Sequence, residues 1–108
     1  MTPRRIERTP QARADLIAIH DYIDNDNPAA ADRFLDAAET CFQLLSDMPE
    51  AGRVWNSNKH PNVRSAIILD FPSYRVFYQP APRGIVIVTV LHGARDLPQA
   101  FDNLFVDG

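Results

Sequence analysis

Ile85-Val86-Ile87-Val88-Thr89-Val90-Leu91 is an almost unbroken run of β-branched apolar residues, and no other segment of the chain leaves so few structural choices. Such residues favour extended backbone, and a strand apolar on both faces must be covered on both, so the run predicts an inner strand of a sheet, continuing to His92. Two shorter strand-like runs precede it, Val63 to Leu69 and Tyr74 to Gln79. The turn-forming segments Asp70-Phe71-Pro72-Ser73 and Pro80-Ala81-Pro82-Arg83-Gly84 separate the three. Three strands joined this closely make a mainly antiparallel meander. Alternation places Val63, Ser65, Ile67 and Leu69 on one side of their strand and Arg64, Ala66 and Ile68 on the other. In the next strand Tyr74, Val76 and Tyr78 share one side, and Arg75, Phe77 and Gln79 the other.

The first half of the chain changes period. After a short strand near Ile6 to Arg8, Thr9 can cap a helix and Pro10 suits its first turn. Ala12, Leu16, Ile19 and Ile23 then form one apolar stripe at helical spacing, with Arg13, Asp15 and Asp21 elsewhere. Asp24-Asn25-Asp26-Asn27-Pro28 breaks this helix and starts a second with the same cap-plus-proline signature. The second helix carries Ala30, Phe34, Ala37, Cys41, Leu44, Leu45 and Met48 and stops at Pro49 and Gly52. A polar loop through Trp55, Asn56, Ser57, Asn58 and Lys59 leads into the strands, and Asp96 to Phe105 can form a short C-terminal helix. Two helices joined by a short turn form a hairpin whose apolar face must be buried. The downstream sheet is the simplest cover, which gives an α+β class: strand, helical hairpin, then a three-stranded meander under the hairpin.

The 108 residues suffice for one domain, residues 1–108, burying roughly 65% of the surface of the unfolded chain. The opening residues Met1 to Ile6 are basic without an apolar stretch behind them, which does not read as a secretory signal, and no run is apolar enough to span a bilayer. Cys41 is the single cysteine, so an internal disulfide, a Cys-rich metal site and a CxxC redox pair are excluded. These features make a cytoplasmic protein without metal or cofactor the expectation.

The net charge of −3 conceals a segregation. Residues 14–50 hold nine acids against the single base Arg33, whereas residues 53–95 hold six bases against the single acid Asp70. A chain so divided is electrically two-sided, which suits a partner carrying charge of its own; the plain alternative is that both sets serve only solvation.

Five segments in this order resemble the ParE branch of the RelE/ParE toxin superfamily. They are Thr9-Pro10-Gln11-Ala12-Arg13-Ala14-Asp15-Leu16 with Tyr22-Ile23; Pro49-Glu50-Ala51-Gly52-Arg53; Val63-Arg64-Ser65; Tyr74-Arg75-Val76-Phe77-Tyr78; and Val90-Leu91-His92-Gly93-Ala94-Arg95-Asp96-Leu97. The resemblance implies the toxin of a bacterial type II toxin–antitoxin pair, a plasmid-stabilisation type of system, neutralised by a ParD-like antitoxin. Members of the ParE branch poison DNA gyrase, whereas the RelE branch cleaves messenger RNA on the ribosome. A metal-independent nuclease needs a proton acceptor, a proton donor and cations for phosphate charge. Two arginines of that branch correspond to Arg75 and Arg95, but its strand lysines fall at Ala66 and Ile68 and its late catalytic tyrosine at Phe101. A gap in that strand would instead bring Arg64 to one lysine position. The net acidic charge also disfavours docking into ribosomal RNA.

The resemblance therefore implies a binding inhibitor with no catalytic residues, with a RelE-type ribonuclease as the first alternative. A second alternative is an inactive homologue that serves only as antitoxin partner and operon co-regulator. Sequence-specific DNA binding by this chain alone is not expected. Candidate target contacts are Arg64 and Arg75, on alternating strand positions, and His92 and Arg95, at the exit of the buried strand. Candidate antitoxin contacts are Leu16, Ile19, Phe34 and Trp55, which would take an apolar helix across the hairpin, with Arg64 and Arg75 facing its acids. Each has a structural alternative: His92 can bond the end of the buried strand, and outward arginines can simply be solvated.

Overall fold

The structure, a computed structural model, describes residues 4–55 and 62–93. Strand β1 (Arg5–Arg8) is followed by helices α1 (Pro10–Asp24) and α2 (Pro28–Asp47), then β2 (Arg53–Val54), β3 (Arg64–Ile68), β4 (Phe71–Ala81) and β5 (Gly84–His92). The sheet order is β1-β5-β4-β3-β2. β3, β4 and β5 form the expected antiparallel meander, and β1 adds to β5 in parallel, with Arg5 opposite Gly84 and Arg8 opposite Ile87. β5 is therefore interior to the sheet, as its β-branched run requires.

Both helices start where capping chemistry dictates. The Thr9 side chain accepts from the Ala12 N–H and that of Asn27 from the Ala30 N–H, each at 3.0 Å, with Pro10 and Pro28 just inside. The hairpin lies on one sheet face. Phe34 and Phe42 of α2 and Ile19 and Ala12 of α1 bury against Ile68, Val76, Tyr78, Ile85, Ile87 and Val90. Phe34 stands edge-on to both Phe71 and Tyr74, with centroids 5.4 and 5.3 Å away. On the other face Ser65, Phe77 and Leu91 are buried, and the Trp55 ring meets Phe77 edge-on at 5.2 Å.

Several sequence expectations need correction. The sequence puts Leu44 and Met48 in the apolar stripe of α2, yet they are 53% and 56% exposed; Ala31, Ala38 and Phe42 take the core positions instead. The core-facing side of α2 is thus rotated from the stripe that included Leu44 and Met48. β4 begins at Phe71, because Leu69 and Asp70 alone make the turn, with Asp70 in the left-handed region at φ 73°. The two-residue edge strand β2 was not expected, and the anticipated helix over Asp96 to Phe105 lies outside the described residues.

Asp15, placed off the apolar stripe of α1, points inward to β5. Its carboxylate accepts hydrogen bonds from the Thr89 hydroxyl and, at 3.0 Å, from the Val90 N–H. The Thr9 hydroxyl donates to the Val88 carbonyl at 2.7 Å. Tyr78 pairs with Ile87 and Phe77 with Thr89, which leaves Val88 as the extra residue of a bulge. Thr9 and Asp15 therefore satisfy the backbone that this bulge frees, and they fix α1 to β5.

Candidate functional site

α2 ends at a bracket built from the sheet. The Tyr78 hydroxyl donates to the Pro49 carbonyl at 2.8 Å and accepts from the Gly52 N–H at 2.8 Å. Burial pushes the Tyr78 phenol above its usual value, so it remains a proton donor at neutral pH. A side chain at Gly52 has no room, since a Cβ there would lie 2.3 Å from the Tyr78 oxygen. Arg64, directly opposite Tyr78 on β3, completes the bracket: its Nη1 donates to the Glu50 carbonyl at 3.1 Å and the Gly52 carbonyl at 2.9 Å. The segment Pro49-Glu50-Ala51-Gly52-Arg53 thus owes its composition to a turn held by one phenol and one guanidinium.

The bracket borders a cavity of about 330 Å³ lined by Glu50, Val54, Asn62, Val63, Arg64 and Pro80. Leu44 and Met48 lie in the final turns of α2, and Val54, 49% exposed, sits opposite Arg64 on β2. Exposed apolar side chains and an arginine therefore occur together at this end of the molecule. Of the large exposed apolar residues, Val54 lines the cavity itself, whereas others, Ile17, Tyr22 and Leu69 among them, lie on other elements.

The remaining candidates are dispersed. Arg75 pairs with Leu91 and projects from the face opposite the hairpin, its Nε about 4 Å (3.8 Å) from the site of a Cβ on Gly93. His92 ends β5 on the hairpin side, where its ring meets Tyr74 edge-on at 5.3 Å. Arg64 lies at the other end of the same face, opposite Tyr78, four residues along β4 from Tyr74, which is roughly 13 Å of strand. Arg64, Arg75 and His92 thus do not meet in one site, because β-strand alternation puts Arg75 on the far face and strand length separates the other two. Arg95 lies outside the described residues.

Among the antitoxin candidates, Phe34 is fully buried and Ile19 is buried. Neither offers surface while the hairpin rests on the sheet, so in this structure both serve the core. Leu16 is half-buried against the same core, and Trp55 is half-buried on Phe77, with its backbone N–H donating to the Val63 carbonyl at 2.9 Å. Sequence reasoning missed Tyr78 as a polar anchor, although a tyrosine across the sheet from a Pro-x-x-Gly turn is the signal that could have revealed it. Among the described residues no three His, Cys, Asp or Glu side chains gather as a metal site.

The comparisons with known proteins agree on family. The profile of the ParE toxin of type II toxin–antitoxin systems, parDE, matches residues 6–97. Toxin RelE2 of Caulobacter vibrioides is 34% identical over 87 residues, covering 81% of this chain and 92% of that protein. Y4kP of Sinorhizobium fredii is 31% identical over 99 residues, covering 92% and 98%. A solved structure described as the chromosomal ParDE TA system from P. aeruginosa superposes with a TM-score of 0.71 at 21% identity, over 82% of this chain and 95% of that one, and so shares the fold. With this fold, the match to the family model and the two relatives place the chain in the ParE toxin family of type II toxin–antitoxin systems.

Proposed function

We propose that this toxin acts by binding DNA gyrase and blocking its cycle, and that a ParD-like antitoxin neutralises it by covering the surface around the end of α2. The single observation carrying the gyrase reading lies in β3, where the resemblance assigns the strand cations of the ribonuclease branch to positions 66 and 68. Ile68 is fully buried beneath the hairpin and Ala66 is half-buried against it. Neither can present positive charge to a phosphate, and a lysine at position 68 would need to be desolvated in the core. Arg64, the other residue that could stand in, would supply only one of the two strand cations.

The similarity to a toxin called RelE2 favours RelE-type messenger cleavage as the second reading. Gyrase action carries with it a cytoplasmic location; among the described residues no helix is long and apolar enough to cross a membrane. The test is inducible expression with and without the adjacent reading frame. Growth arrest relieved by that frame, with loss of plasmid supercoiling during arrest, is the expected result. Arrest with supercoiling intact would overturn the gyrase reading, and absence of arrest would point to an inactive partner of the antitoxin.

A further inference from the structure

Arg64 is oriented as a receptor, not merely as a strut. Its Nη1 is held by the carbonyls of Glu50 and Gly52, which lie on a turn that Tyr78 itself pins to the sheet. The planar guanidinium therefore cannot swing, and its Nε–Nη2 edge, the edge that pairs side-on with a carboxylate, carries no hydrogen bond among the described residues. No carboxylate pairs with Arg64 among those residues, although Arg8 is paired with Glu39. Val54, Val63 and Pro80 give the adjoining cavity apolar walls, and Asn62 adds an amide.

From this geometry we propose that the cavity at the end of α2 is a carboxylate-binding subsite, in which the Nε–Nη2 edge of Arg64 receives an aspartate or glutamate side chain of a polypeptide partner. Charge selects the occupant: Arg64 is the cation among the residues that line the cavity, and its guanidinium is held in place before anything binds, so little side-chain entropy is lost on pairing. The exposed apolar side chains of Val54, Met48 and Leu44 at the same end favour a peptide over a small free anion, because they reward apolar neighbours of the acidic residue. Glu50 lines the same cavity and opposes the incoming charge. It acts as a negative rim that weakens binding and rejects segments whose carboxylate cannot reach the arginine edge. The inference rests on the antitoxin reading only for the identity of the partner; the subsite itself is a property of this chain.

The experiment uses the whole protein labelled with nitrogen-15 and follows the arginine side-chain Nε–H resonances. N-acetyl-glutamate N-methylamide is titrated in, with the neutral N-acetyl-glutamine N-methylamide as control. The expected result is a saturable shift of the Arg64 resonance with the glutamate compound, at least tenfold weaker with the glutamine compound. Glu50→Gln should tighten binding several-fold by removing the opposing charge. Arg64→Lys, which keeps the charge but loses the planar edge, should weaken it at least fivefold as followed by the backbone amides of Val54 and Asn62. An unmoved Arg64 resonance, equal response to both compounds, or an unchanged affinity in Glu50→Gln would overturn the proposal. Because the probe contains no antitoxin, failure here removes the subsite and leaves neutralisation to be judged by growth rescue.

Discussion

Replacing Tyr78 by phenylalanine removes one oxygen and tests the bracket directly. The ring is fully buried and stays in place, so packing is retained while two hydrogen bonds of 2.8 Å vanish. Each is worth about 1 kcal/mol net, and the buried Gly52 N–H left without a partner costs about 1 kcal/mol or more again. The expected destabilisation is about 2 to 4 kcal/mol, a large share of what a domain of this size possesses. At about 4 °C per kcal/mol for a chain near this length, the melting temperature should fall by about 8 to 16 °C in a calorimetric or circular-dichroism melt. Gly52→Ala should also destabilise, because its new Cβ would sit 2.3 Å from the tyrosine oxygen. The two changes should be less than additive, since deleting the hydroxyl removes the nearest clashing atom, although ring carbons at 2.7 and 2.8 Å remain. A Tyr78→Phe melt within 2 °C of the parent, or strict additivity of the pair, would refute the claim that this phenol fastens the end of α2.

Phe34→Ala, which empties a fully buried site between Phe71 and Tyr74, should cost about 3 to 5 kcal/mol in a denaturant titration. An unchanged midpoint would place the ring outside the core. Cys41 is buried, which raises its thiol above the usual value, so alkylation by iodoacetamide should be slow in the native protein and rapid after unfolding. His20 contacts Asp21 at 3.3 Å and reaches Asp32 of α2 at 3.6 Å. Its hydrogen bond to Asp21 is the largest influence on the imidazole and, with Asp32 and the charges of Asp24 and Asp21, outweighs desolvation, raising its pKa above 6.5. A raised pKa in the folded state means that the protonated pair stabilises the hairpin fully below pH 6.5 and that this contribution is lost as the pH rises through the raised value. Proton NMR titration of His20 should show the upward shift, and His20→Gln should abolish that part of the pH dependence of the melt.

The elements that could be read from the sequence are those whose signals are local. The β-branched run of β5 and the two Thr/Asn-plus-proline helix starts rest on neighbouring residues and stand where expected within a residue, whereas β4 takes in three of the four residues of the turn expected before it. What was not legible depends on which strands become neighbours. The parallel pairing of β1 with β5 joins residues nearly eighty positions apart, with Arg5 opposite Gly84, and no local pattern encodes it. The same holds for Asp15, whose off-stripe position looked solvent-facing until β5 supplied its donors. Arg64, Arg75 and His92 lie on consecutive strands, yet alternation and strand length keep them apart. Arg64 gains its distinctive geometry from a turn twelve to fourteen residues earlier, through Gly52 and Glu50, and only the folded chain brings the two together.

The most direct test of the central claim sets the two chemistries of the superfamily side by side with the same purified toxin. One reaction contains gyrase, relaxed plasmid and ATP; the other contains programmed ribosomes carrying an end-labelled messenger. The account predicts inhibited supercoiling or trapped gyrase–DNA cleavage complexes in the first and full-length messenger in the second. Cleavage of the messenger in the ribosomal A site, with gyrase turnover unchanged, would contradict it.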